Sequence, residues 1–161
     1  MNFTHLDENG RGRMVDIGQK EHTMRRAVAT ASVFLNADTL ERIQSNAITK
    51  GDVLSIAQIA GISAAKRTWE QIPLCHQIPL TGVEIDFIFA ENPTAIKIIA
   101  TVTANYTTGV EMEALSAVTT AALTIYDMCK AVQQDIVIGE IFLLEKTGGK
   151  ADYTRGATCD K

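Results

Sequence analysis

From residue 25 onward the sequence predicts an α+β, ferredoxin-like domain, an antiparallel sheet with two helices on one face. Three observations predict it. Residues 83–89 and 96–104 alternate apolar with polar side chains on either side of Asn92-Pro93, the pattern of a half-buried hairpin. Two longer stretches, one before the hairpin and one after it, repeat apolar residues at helical spacing. A strand-like segment opens the series and another closes it, which gives strand, helix, strand, strand, helix, strand, the split βαβ order.

Each element has its own signal. Residues 1–24 read as an irregular arm with a short extended piece around 14–17. Residues 25–35, rich in Ala, Val and Thr, read as the first strand, and 38–44 as a short helix capped by Asn36 or Asp38. Thr49 followed three residues later by Asp52 resembles a capping box, and Val53, Ile56, Ala57, Ala60 and Ala64 then recur at helical intervals. That predicts a helix over 52–70, ended by Pro73. Two prolines and a glycine make 73–82 a loop, and 82–90 and 95–106 form the hairpin. Leu115, Val118, Ala122, Ile125, Cys129 and Val132 form a continuous helical stripe, with Thr108 and Glu111 as a second capping box at its start. Residues 136–144 are the last strand, and Thr147-Gly148-Gly149-Lys150 opens a polar tail that continues as a flexible segment over 151–161. The whole chain, 1–161, reads as a single domain. The sheet face opposite the helices carries Ile88 and Ile99, which calls for cover by another subunit or by the amino-terminal arm.

Composition narrows the function classes. At 46% hydrophobic and 21% charged residues the chain can bury an ordinary core. Its longest mostly apolar stretches, 28–35 and 117–126, are too short to cross a bilayer, and the polar amino terminus lacks a signal-peptide pattern. A soluble, cytoplasmic protein with no membrane partner is expected. The net charge of −4 supplies no global field for nucleic acid, so an anionic ligand must be held by local lysines. Cys75, Cys129 and Cys159 include no CxxC pair, which argues against a disulfide framework and against a zinc site.

Several residues could carry chemistry. Asp127 and Lys130, three apart near the end of the long helix, share a face away from the apolar stripe. They form either a solvated ion pair or, with the Lys130 pKa lowered by neighbouring lysines, a proton-transfer pair. Lys50-Gly51-Asp52 lies at a helix start, where free N–H groups favour phosphate. His76, beside Cys75 in the proline-bounded loop, is a candidate proton donor or hydrogen-bonder, whereas Cys75 reads as a buried apolar residue. Glu111 and Glu113 flank Met112 at the start of the long helix, and Glu113 shares a face with Asp127 about 21 Å further along it. One subunit could not easily focus both carboxylates on one bond, and a second subunit could. Arg25, Lys66, Arg67, Lys146 and Lys150 complete the basic set. The pair Gly148-Gly149 between two lysines suits a phosphate-binding turn, although no P-loop is present.

Taken in order, these motifs resemble the cyclic pyranopterin monophosphate synthase family, the accessory protein C of molybdenum cofactor biosynthesis. The matching stretches are Met14-Val15-Asp16, Lys50-Gly51-Asp52, AQIAG at 57–61, AAKRT at 64–68, IPLCH at 72–76, TGVEMEAL at 108–115, AALTIYDMCKAV at 121–132 and Gly148-Gly149-Lys150. The likeness runs from about residue 5 to residue 150, and its longest motifs are specific. It implies a lyase that converts a cyclised dihydroguanosine triphosphate, made upstream by a radical GTP cyclase, into cyclic pyranopterin monophosphate and pyrophosphate. It implies Asp127 and Lys130 as the acid–base pair, Lys50 as a proton donor, and His76 orienting the substrate or donating a proton. Cys75, Glu111, Met112 and Glu113 would line the pocket, with Glu113 against the guanine-derived ring edge, and Arg25, Lys66, Lys146 and Lys150 would hold the triphosphate. It also implies a hexamer, a trimer of dimers with sites at the dimer interface, and no tightly bound cofactor beyond Mg²⁺ accompanying the triphosphate. The family usually has Pro where this chain has Gln77, and often Lys where it has Thr107.

The same element order serves binding modules. An RNA-binding domain would need aromatic platforms on its central strands, and residues 95–106 offer only Tyr106 at the end. A non-catalytic regulatory oligomer that binds a nucleotide is the stronger alternative, although it gives Asp127 and Lys130 no reason to share a pocket with His76.

Overall fold

The structure is a computed structural model and describes residues 9–156. Strand β1 (Thr23–Phe34) is central, antiparallel to both neighbours in the register Thr30 opposite Ile99 on one side and Phe142 on the other. Ala27, Ala29, Ala31 and Val33 face the helices and are fully buried, while Val28, Thr30 and Ser32 are buried on the reverse face. The polar pair on that reverse face is satisfied locally, with the Thr30 hydroxyl donating to the Ile98 carbonyl at 2.9 Å and Ser32 to Glu140 at 2.6 Å.

After β1 come α1 (Ala37–Gln44), α2 (Val53–Lys66), α3 (Thr68–Gln71), β2 (Gly82–Glu91), β3 (Thr94–Tyr106), α4 (Glu111–Cys129), β4 (Val137–Thr147) and β5 (Tyr153–Thr154). They build one antiparallel sheet in the order β2-β3-β1-β4-β5. Helix α4 packs on β1, β3 and β4, and α2 packs alongside α4 and on β2. The layer beneath α4 is made of small residues, among them Ala100 and Ala104 on β3 and Ala114, Ala117 and Ala121 on the helix, all fully buried. Small side chains let the backbones approach. At Gly61 the approach is closest, because a Cβ there would overlap Ile85 and stand 2.9 Å from the Ala117 carbonyl.

Several local expectations change. Asn36 caps α1, accepting from the Thr39 amide at 2.8 Å. Asp52, not Thr49, caps α2, because its carboxylate accepts from both the amide and the hydroxyl of Ser55. The helix expected over 52–70 breaks at Arg67, where the Thr68 hydroxyl takes the Ala64 and Ala65 carbonyls. No side chain caps α4: Val110 holds that position, and Glu111 reaches outward instead of back to Thr108. Val132 lies beyond the end of α4 and is exposed. Residues 14–17 carry no strand.

Strand β4 runs three residues past its expected end. Two register shifts against β1, with Glu140 at φ 51°, displace the period-two pattern and hide the strand's second half. The chain then turns at Gly148 (φ +83°), where a Cβ would overlap the Met24 carbonyl, so only glycine fits. The Gly148 amide is held by Asp152 at 3.0 Å, and β5 returns along Glu145 and Lys146 inside the segment read as tail. Residues 1–8 of the arm and 157–161, including His5 and Cys159, lie outside the described residues. Among the described residues no helix is long and apolar enough to cross a membrane.

Candidate active site

Where β1 begins, β3 and β4 end and α4 starts, the loops enclose a cleft of two joined chambers. The first, about 510 Å³, is basic, with Lys20, Arg25, Arg26, Lys146 and Lys150 against Glu111 and Asp152. The second, about 390 Å³, is lined by Val15, Ile17, Ile78, Cys75, His76, Met112 and Glu113. Lys20, Thr108, Gly109 and Glu111 belong to both and form the neck between them.

The basic chamber is built on the strand ends. Arg25 is partly committed to structure, donating to the carbonyls of Tyr106 (3.1 Å) and Thr107 (3.3 Å), which fixes the loop leading into α4. Arg26 is paired with Glu145, and Lys146 with Glu111 at 2.9 Å. The turn at Gly148-Gly149 carries Lys150 and places Gly149 beside the Arg25 guanidinium.

In the second chamber the loop histidine is fixed by the arm. His76 Nε2 lies 2.8 Å from the Val15 carbonyl, which can only accept, so Nε2 is the donor in this contact. Glu113 is 4% exposed. Burial, aided by the charge of Glu111, pushes its pKa up to about 7, so near neutrality it is part acid and part carboxylate. Burial also raises the Cys75 thiol, with Glu113 adding to the effect, which keeps Cys75 from acting as a thiolate nucleophile.

The other candidates gather at the opposite end of α4. Asp127 lies between two ammonium groups, 2.7 Å from Lys130 and 3.1 Å from Lys50. Lys50 also donates to the Asp127 backbone carbonyl at 2.7 Å, where the helix presents its negative end. Hydrogen bonds from Lys130 and then Lys50 hold the Asp127 carboxyl below the usual range. The same contact raises Lys130 above its ordinary value, opposite in direction to the lowering expected from neighbouring lysines. Asp127 is the nearer and stronger influence in the single chain.

The chain therefore collects Glu111, Met112, Glu113, Cys75, His76, Arg25, Lys146 and Lys150 in the cleft, and Lys50, Asp127 and Lys130 about four helical turns away. Lys66 joins neither group, lying with Ile62, Leu80 and Thr81 in a shallow depression at the other end of α2. Sequence reasoning missed Lys20 and Arg26. Lys20 follows the Met14-Val15-Asp16 motif by only four residues, but its place depends on His76 pinning the arm, a contact that spans 61 residues. Among the described residues no group of three or more His, Cys, Asp or Glu gathers to hold a metal ion.

A basic chamber is thus joined to a half-apolar one that holds a buried carboxyl group. The MoaC family profile matches residues 14–149, and the chain belongs to that family. A protein of Brevibacillus brevis called cyclic pyranopterin monophosphate synthase is 53% identical over 155 residues, 96% of each chain. Proteins of the same name from Thermoanaerobacter sp. and Geobacillus kaustophilus are 54% identical over 151 residues and 51% identical over 158 residues. These alignments cover 94% and 97% of this chain, and 96% and 98% of the relatives.

Proposed function

We propose that this chain is the lyase of molybdenum cofactor biosynthesis that converts a cyclised dihydroguanosine triphosphate, supplied by a radical GTP cyclase, into cyclic pyranopterin monophosphate and pyrophosphate. The observation that carries this reading is the joining of the two chambers. A triphosphate suits the five cations of the first, and a purine-derived ring suits the second, where Glu113 can donate or accept at the ring edge as its protonation requires.

Within this reading the domain is ferredoxin-like, a description supported by the order β2-β3-β1-β4 within the sheet and by α2 and α4 packing on the sheet beside each other. Asp127 and Lys130 pass the protons of ring opening and closure, with Lys50 as a further donor, and His76 orients the substrate. Arg25, Lys146 and Lys150, joined by Lys20 and Arg26, neutralise the phosphates, and Mg²⁺ arrives with the triphosphate. Loss of pyrophosphate needs that neutralisation, because charge builds on the leaving phosphate oxygens. The separation between the Asp127 group and the cleft supports a homo-oligomer, a hexamer made as a trimer of dimers. Across each dimer interface the far end of the partner's α4 completes the cleft.

The test is product formation from the cyclised triphosphate by the native chain and by Lys130→Ala and Asp127→Asn. Pterin and pyrophosphate from the native protein, lost in both variants while they stay folded and oligomeric, is the expected result. A native protein that binds the nucleotide and makes nothing would instead be a regulatory nucleotide-binding oligomer.

A further inference from the structure

The contact between Glu111 and Lys146 stands in the path of any ligand that spans both chambers. Glu111 is the first residue of α4, and its side chain extends to Lys146 at 2.9 Å. To do so it lies over the backbone of Gly109, and a Cβ at Gly109 would overlap the carboxylate. Glu111 and Gly109 both line the neck, and Lys146 lines the basic chamber beside it. A phosphate attached to a ring in the second chamber must occupy that neck.

We infer that the Glu111 carboxylate is a placeholder for phosphate on Lys146, displaced when a polyphosphate enters and restored when pyrophosphate leaves. This rests on the triphosphate reading of the basic chamber. Paired with Lys146, the carboxylate satisfies the ammonium and adds one negative charge at the mouth of the anion site. A polyphosphate offers several oxygens and more charge, so it takes Lys146 and releases Glu111, which the space over Gly109 leaves free to rotate. Once pyrophosphate is the remaining anion, Glu111 competes for Lys146 again and hastens its release. Glu111 is thus a positioning residue that keeps the anion site from trapping its own product.

The test is calorimetric titration of the oligomer with inorganic pyrophosphate, for the native chain, Glu111→Gln, Lys146→Met and the double variant. Removing the competing carboxylate is expected to tighten pyrophosphate binding by about fivefold, the upper end of what an exposed ion pair contributes. Lys146→Met is expected to weaken binding and to abolish the effect of Glu111→Gln in the double variant. Unchanged or weaker binding by Glu111→Gln, with Lys146→Met still weak, overturns the placeholder alone. Native-like binding by Lys146→Met would instead overturn the triphosphate reading of the chamber.

Discussion

Glu113 is nearly enclosed, and its ionisation is coupled to folding. In the unfolded chain it titrates near its ordinary value of 4.5, and in the fold near 7. Between those values the native state holds a proton that the unfolded state has lost, so stability falls as pH rises through that window and levels off above it. Glu113→Gln keeps the shape of the protonated acid and removes the titration. Its stability is expected to match the native protein near pH 4.5 and to exceed it by about 2–3 kcal/mol at pH 8. Urea unfolding at the two pH values checks this, and an equal offset at both would show that Glu113 ionises freely in the fold. The Asp127 group behaves differently. Its three side chains are each 41–58% exposed, so their mutual attraction is screened by water and contributes little to the fold.

At the scale of elements, α2 and α4 approach closely because Gly61 faces the Ala117 carbonyl and Ala121. A methyl group there must push against backbone, so Gly61→Ala is expected to lose about 1–3 kcal/mol despite the better helix propensity of alanine. Thermal unfolding measures it, and a stabilised variant would mean that the helices separate freely. Periodicity made these elements legible. The β2–β3 hairpin and the α4 stripe through Val118, Ala122, Ile125 and Cys129 stand where the apolar spacing put them. Caps and ends were less legible, because they are settled by competition. Asp52 could reach Ser55 and so displaced Thr49, and Lys146 claimed Glu111 from the start of α4. The bulges opposite β1 broke the alternation that would have revealed the rest of β4, and β5 is too short to carry a pattern. In the site, motif residues were readable one by one, while Lys20 and Arg26 were not, because the cleft is assembled from loops far apart in sequence.

Among the described residues, large apolar side chains are exposed on both sides of the fold. Ile88 on the reverse of the sheet is 50% exposed and Val137 57%, while Ile59 on α2 is 65% exposed and Leu123 on α4 55%. The proposed trimer of dimers would need two different interfaces, and these exposed side chains are where they would form. If the dimer completes each site, the two groups of residues belong to different chains within one site. An oligomer mixing His76→Ala chains with Lys130→Ala chains would then contain some sites with neither substitution, although each parent is inactive. Random pairing makes half of the dimers mixed, and each mixed dimer has one intact site of two, so about a quarter of native activity is expected. Coexpression of differently tagged variants, followed by product assay of the doubly tagged species, measures it. Activity no higher than that of the parents would mean that each chain supplies both groups to one site. The 13 residues of α4 between Glu113 and Asp127 would then have to bend or unwind to bring them together.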